Sequence, residues 1–219
     1  MGAFRQIDRM KQKGCKMLLR CLERVLPFVL ISLSTTSLAS PSFDCAQASS
    51  NAEQAICNDD SLATLDRRLN DRYRAAMAVA RNLDAGSQEA VETLRTTQRG
   101  WIKGRDDCWK ADDLKACITE TYLIRETELV AYWLLEKPLA INSFTCEGNP
   151  ANEVYVYFFD TERPGIRLEY GDSLRTGWRV SAGSGSKYAT PFGGSFWQKG
   201  DEARFIWTEG EEVSCVKSR

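Results

Sequence analysis

The 219-residue chain has no histidine. That absence removes Ser-His-Asp and Cys-His catalysis, and it takes from zinc its usual nitrogen ligand. Cysteine occurs eight times, yet no two stand as a C-x-x-C pair, so metal-finger and redox spacings are missing as well. No P-loop, dinucleotide fingerprint or EF-hand spacing occurs. Long hydrophobic runs are missing too: the apolar stretch "VLPFVLISLS", Val25 to Ser34, is about half the ~20 residues a membrane-spanning helix needs. Paired acids are present as Asp106-Asp107 and Asp112-Asp113, but they fall at expected helix ends, where carboxylates serve as solvated caps rather than a glycosidase pair. No catalytic residue, metal site or cofactor is expected, and the chain reads as a non-enzyme.

Residues 1–39 carry seven Lys/Arg against two acids, then the apolar run, then "TTSLAS". A basic start, a short apolar centre and small residues near its end make a secretory signal peptide, with the mature chain beginning near Ser40. No lipid-attachment box is present, since Cys45 follows "SFD" and Cys21 follows "LLR"; a periplasmic protein without a stable membrane anchor is expected. Residues 40–219 hold 22 Lys/Arg and 28 Asp/Glu, a net charge of −6. That balance disfavours nucleic acid as a partner and favours a cationic one. Six cysteines remain there, Cys45, Cys57, Cys108, Cys117, Cys146 and Cys215. An even set in an exported chain reads as three disulfides.

The hydrophobic period divides the chain. From Asn58 to about Glu136, apolar residues recur at spacings of three and four: Leu62, Leu65, Leu69, Tyr73, Ala76, Met77 and Leu83, then Val91, Leu94, Trp101 and Ile102, then Leu114, Ile118, Leu129, Tyr132 and Trp133. Three such stripes predict a small antiparallel helical bundle over residues 40–136. In an up-down bundle Cys57, Cys108, Cys117 and Cys45 lie near one end, and of the three possible connectivities we favour Cys57–Cys108 with Cys45–Cys117.

Pro138 stops the last helix, and residues 137–143 read as a linker. Beyond it the period is two: "EVYVYFF", "GIRLEYG", "GWRVS", "ARFIW" and "EEVSCV" alternate between Gly-bearing turns. Seven or eight short strands over residues 144–219 predict a small antiparallel β-barrel, tied near its ends by Cys146–Cys215. The fold class is therefore α+β in two domains, and the break in period predicts that a fragment from about Ala140 onward folds alone.

One stretch of the second half is nearly bare of side chains, "SAGSGSKYATPFGG" from Ser181 to Gly194. By spacing alone Ser/Gly runs of this kind are plain turns. The C-terminal half, however, resembles the MliC/PliC family, inhibitors of c-type lysozymes in the bacterial envelope. The family motif S-G-x-x-Y stands as Ser184, Gly185 and Tyr188. A second motif, Y-x-x-x-T-K-G, survives as Lys199-Gly200, with Gly194 at the Tyr position and Gln198 at the Thr position. The N-terminal half resembles the LprI-type domain through "FDCAQASSNAEQAICNDDSLATLDRRLNDRY" and "LRTTQRGWIKGRDDC"; its motif residues Leu65, Asp66, Tyr73, Gln98, Trp101 and Arg105 are expected to be core and cap residues.

The resemblance implies a lysozyme inhibitor whose Ser184 loop enters the enzyme's cleft. There the serine hydroxyl meets the catalytic acid, Gly185 keeps the tip thin, Lys199 pairs with the ionised carboxylate before Gly200, and Tyr188 buttresses the loop. The alternative is a non-inhibitory envelope module, binding glycan through Trp178, Trp197 or Trp207, or another envelope protein.

Overall fold

The computed structural model describes residues 40–207, 210 and 212–218; the expected signal peptide lies outside them. Ser50 opens the first helix, α1 (Asn51–Asn58), with a capping box. Its hydroxyl accepts from the Glu53 amide at 3.1 Å, and Glu53 accepts from the Ser50 amide at 3.2 Å. Asp59 then caps α2 (Asp60–Arg81), its carboxylate accepting from the amides of Ser61 and Leu62. A left-handed Gly86 leads into α3 (Ser87–Asp106). Asp113 caps α4 (Leu114–Trp133) at the Ala116 amide, and Leu134 in the left-handed region ends it. The apolar stripes meet in a core built on Ile56, Leu62, Leu69, Met77, Leu94, Ile118, Tyr122 and Leu129. Leu83, Ile102 and Tyr132, expected inside, stay substantially exposed; Leu83 falls beyond the end of α2, where the helical period no longer aims it inward.

The two helical-half disulfides pair differently from the expectation. They are Cys45–Cys57 and Cys108–Cys117. The reason is the extra helix α1, which the period reading began too late to include. Cys57 belongs to its last turn, and a 3-10 turn at Cys45–Gln47 folds back to bring the two Cα atoms within 5.8 Å. Cys108 sits in a 3-10 turn after α3, and Cys117 in the first turn of α4. The tight α3–α4 corner sets those Cα atoms 5.7 Å apart. Both bridges close local loops rather than nesting across the bundle.

The second half is a closed barrel of eight antiparallel strands, each paired with its sequence neighbour. They are β1 (Ala140–Cys146), β2 (Asn149–Phe159), β3 (Gly165–Tyr170), β4 (Ser173–Val180), β5 (Ser186–Ala189), β6 (Ser195–Lys199), β7 (Glu202–Ile206) and β8 (Val213–Lys217). β1 starts at Ala140, inside the stretch read as linker. The seam is β1 against β8, where Cys146 and Cys215 stand directly opposite each other and are disulfide-bonded. Phe144, Val154, Val156, Ile166, Leu168, Phe196 and Phe205 fill the interior, as the alternation requires.

The outer face of β2–β4 is covered by α4. Phe159, which alternation sends outward, is buried against Val130 and Ala131 of that helix. Thr127 is fully buried and donates to the carbonyl of Arg163 at 2.6 Å. Arg163 reaches Glu120, Arg167 reaches the carbonyl of Tyr132, and Arg68 bridges Glu126 at 2.7 Å and Glu162 at 2.8 Å. The helical and barrel halves share a packed interface, which the expectation of an independent C-terminal fragment did not foresee.

Candidate functional site

The Ser/Gly stretch resolves into a loop, Ser181 to Gly185, between β4 and β5. Beside it lies the β6–β7 hairpin. Lys199 pairs with Glu202 there, which leaves Gly200 and Asp201 as a two-residue turn. Gly200 has φ +62°, in the left-handed region that such a turn demands and glycine supplies without strain. Because β5 pairs with β6 through Ser186 and Gln198, the end of the loop and the start of the hairpin are cross-strand neighbours. The structure therefore places Ser184 and Gly185 beside Lys199 and Gly200, although fifteen positions separate Ser184 from Lys199.

Gly185 is needed twice over. Its φ is +70°, and a Cβ would lie 2.3 Å from the Gln198 carbonyl oxygen and 3.1 Å from the Lys199 Cβ. The loop backbone thus runs against the hairpin at a distance that no side chain permits. Ser184 and Lys199 are exposed, and among the described residues Lys199 forms no ion pair. Tyr188 is a different kind of residue. It is 5 % exposed, edge-on to Phe158 at 6.0 Å between ring centres, with the Arg179 guanidinium 5.6 Å from its ring. It braces the strand that ends the loop and does not reach the surface.

Three neighbours shape this site in ways the sequence did not indicate: it offered Trp197 only for sugar stacking, Gln198 only as a departure from the motif, and Arg204 not at all. The Trp197 indole donates to the Ser184 carbonyl at 2.8 Å. Arg204, its cross-strand partner on β7, lies 5.5 Å from that ring and pairs with Glu212 at 3.2 Å. Gln198 donates to the Gly200 carbonyl at 3.0 Å, tying the turn. Gly194, where the second motif would have tyrosine, is buried. A Cβ there would lie 2.2 Å from Thr190 Oγ1 and 2.7 Å from the Trp207 carbonyl. No side chain fits at that position. Of the tryptophans weighed for sugar stacking, Trp207 packs on Phe205 and Tyr170 with Arg175 over its ring.

In the helical half the motif residues turn inward. Asp66 accepts from the Tyr122 hydroxyl at 2.8 Å, which in turn accepts from Arg105 at 3.2 Å; Arg105 also binds Asp106 at 2.7 Å. Burial and the Asp66 carboxylate push the Tyr122 phenol well above its ordinary range. Trp101 donates to the Thr121 carbonyl and meets the Tyr122 ring edge-on. Gln98 accepts from Arg125. These side chains satisfy one another inside the bundle.

Comparison with known proteins agrees with this division. Residues 45–134 match the family described as "Lysozyme inhibitor LprI", and residues 144–214 match MliC, the "Membrane-bound lysozyme-inhibitor of c-type lysozyme". The N-terminal half is thus similar to the LprI family and the C-terminal half to the MliC family. The chain is 25 % identical over 173 residues to the "Lipoprotein LprI" of Mycobacterium tuberculosis, covering 78 % of this chain and 82 % of that protein. The same identity and coverage hold for the "Lipoprotein LprI" of Mycobacterium bovis. An uncharacterized protein of Rhizobium meliloti is 30 % identical over 95 residues, or 40 % of this chain and 68 % of its own. The MliC match ends at residue 214, so it takes in the Ser184 loop and the Lys199 hairpin. No helix among the described residues is long and apolar enough to cross a membrane.

Proposed function

We propose that this LprI–MliC chain inhibits c-type lysozyme in the periplasm by seating the Ser181–Gly185 loop and Lys199 in the enzyme's active-site cleft. The observation that carries the reading is the packing of the loop at Gly185 against Gln198 and Lys199, which sets two exposed residues, Ser184 and a Lys199 without an ion pair among the described residues, on neighbouring strand ends of the barrel. A lysozyme cleft offers the complementary pair, a neutral carboxylic acid and an ionised carboxylate. The Ser184 hydroxyl exchanges hydrogen bonds with the first. Lys199 pairs with the second, a charge-assisted contact of about 1.5–3 kcal/mol. Glycines at 183, 185 and 200 keep the approaching edge thin. Occupancy of the cleft suffices for inhibition, so the proposal invokes no catalysis and no cofactor. The net charge of −6 over residues 40–219 favours encounter with a cationic enzyme and raises the association rate.

The signal-like order of residues 1–39 supports the periplasmic assignment, as does the full pairing of the six cysteines from Cys45 onward, which suits an oxidising compartment. The deciding experiment is a turbidity assay of c-type lysozyme on bacterial cell walls, with and without the purified protein. Clearing at the uninhibited rate with excess protein present would reject the proposal.

A further inference from the structure

We propose that Trp197 is a positioning residue for the inhibitory loop, holding Ser184 in its exposed place and itself held by an Arg204–Glu212 clamp. This rests on the lysozyme-inhibitor reading of the same site. The loop from Ser181 to Gly185 has five residues, all exposed, and small or absent side chains throughout. Glycines at 183 and 185 give its backbone unusual freedom. Its ends are fixed by the β4–β5 pairing, Val180 against Lys187. Between those ends the indole N–H of Trp197, donating to the Ser184 carbonyl at 2.8 Å, is the one hydrogen bond to the loop among the described residues. It grips the very residue whose side chain the mechanism needs.

The indole is aimed by its surroundings. Lys187, Trp197 and Arg204 are successive cross-strand partners on β5, β6 and β7, so they form a row on one face of the sheet. The Arg204 guanidinium lies 5.5 Å from the Trp197 ring, on the strand away from Lys187, and Glu212 fixes Arg204 from beyond at 3.2 Å. A cation over an indole face attracts the ring and restricts its rotation. The consequence is preorganisation: the loop does not have to lose its freedom on binding, a cost that otherwise falls on affinity. Because the bond lies at the surface, water replaces it when it is removed. Its loss therefore loosens the loop and spares the barrel.

The test uses the full-length mature protein with Trp197→Phe, which keeps the ring and deletes the donor. Backbone ¹⁵N relaxation at Gly183, Ser184 and Gly185 reads the loop directly. The expected result is rigid order parameters in the parent, near 0.85, falling below about 0.6 in the variant, with an unchanged melting temperature. Inhibition of c-type lysozyme should weaken about three- to tenfold. With Ser184→Ala added, the combined loss should be less than additive, since both changes act through one loop. Arg204→Gln should give a smaller effect in the same direction. An equally rigid loop in Trp197→Phe overturns the proposal, and so does a loosened loop with undiminished inhibition. A parent protein that fails to inhibit rejects the inhibitor reading instead, while relaxation still reports whether Trp197 anchors the loop.

Discussion

The side chain of Thr127 on α4 occupies the space in which a side chain at Gly165 on β3 would begin. A Cβ at Gly165 would lie 2.0 Å from Thr127 Cγ2 and 3.2 Å from the Gly177 carbonyl. The helical half is thus keyed into the outer wall of the barrel at a point where the barrel has no side chain. Close approach of this kind leaves no slack for added volume.

Gly165→Ala should therefore strain the interface, lowering stability by about 1–3 kcal/mol. Pairing it with Thr127→Ala should restore part of the loss. Thermal unfolding followed by near-ultraviolet circular dichroism measures both. Additive losses in the double variant would show that the two residues do not oppose each other.

A barrel fragment covering residues 140–219 leaves Phe159 and its neighbours uncovered where Val130 and Ala131 pack. It should bind the dye anilinonaphthalenesulfonate and melt below the full-length protein. The intact protein should unfold in one cooperative step. Two separated transitions, with the fragment reproducing one of them, would mean that the interface adds little.

Disulfide mapping by mass spectrometry should return Cys45–Cys57, Cys108–Cys117 and Cys146–Cys215. The first two close separations of 12 and 9 residues and the third 69. By the chain-entropy estimate these contribute roughly 3, 3 and 4 kcal/mol. Cys146→Ala with Cys215→Ala should cost the most stability, because it also opens the seam between β1 and β8. Recovery of a Cys57–Cys108 peptide would contradict the structure.

Ser184→Ala and Lys199→Ala should each weaken inhibition about 5- to 150-fold with little change in melting temperature, because both side chains are exposed. Ser186→Ala, at the start of β5, should do little. Gly185→Ala should be worse than either for the fold, since it combines φ +70° with a 2.3 Å clash on the Gln198 carbonyl; a cost of about 1–3 kcal/mol is expected. Full inhibition by the Ser184→Ala, Lys199→Ala double variant would show the loop to be an ordinary turn.

Acid should weaken the helical half. The Lys115 ammonium, the Ser61 hydroxyl and the Leu62 amide hold the Asp59 carboxyl well below the usual carboxylate range, and the Ser49 and Ser50 amides lower Glu53. A depressed folded-state pKa contributes stability that is present above the unfolded value, near 4, and is lost as pH falls through the folded one. Helical circular dichroism in mild urea should therefore decline from about pH 5 downward. Asp59→Asn keeps the cap but removes the charge, and it should flatten that decline. Superimposable acid curves for parent and variant would refute the assignment.

Much of this architecture is written in the order of residues. The change from a period of three and four to a period of two separates bundle from barrel. Asp59 and Asp113 mark helix starts, while α4 ends at Leu134, short of the Pro138 expected to stop it, and the motif Ser184-Gly185 with Lys199-Gly200 marks the candidate site. Each is a local property, decided by which face of one element must leave water or by which backbone angles one residue allows. What tertiary structure alone decided are the relations between elements. Cys45 found Cys57 because a short helix intervenes that the apolar stripe did not announce. Phe159 turned from a surface position into an interface one because α4 lies over it. Gly194 displaced the motif tyrosine because two carbonyls and Thr190 close that space. Trp197 became the anchor of Ser184 through strand register, which sets neighbours across the sheet. A periodic pattern specifies which side of an element faces inward; the partner that meets it is chosen by packing all the elements at once.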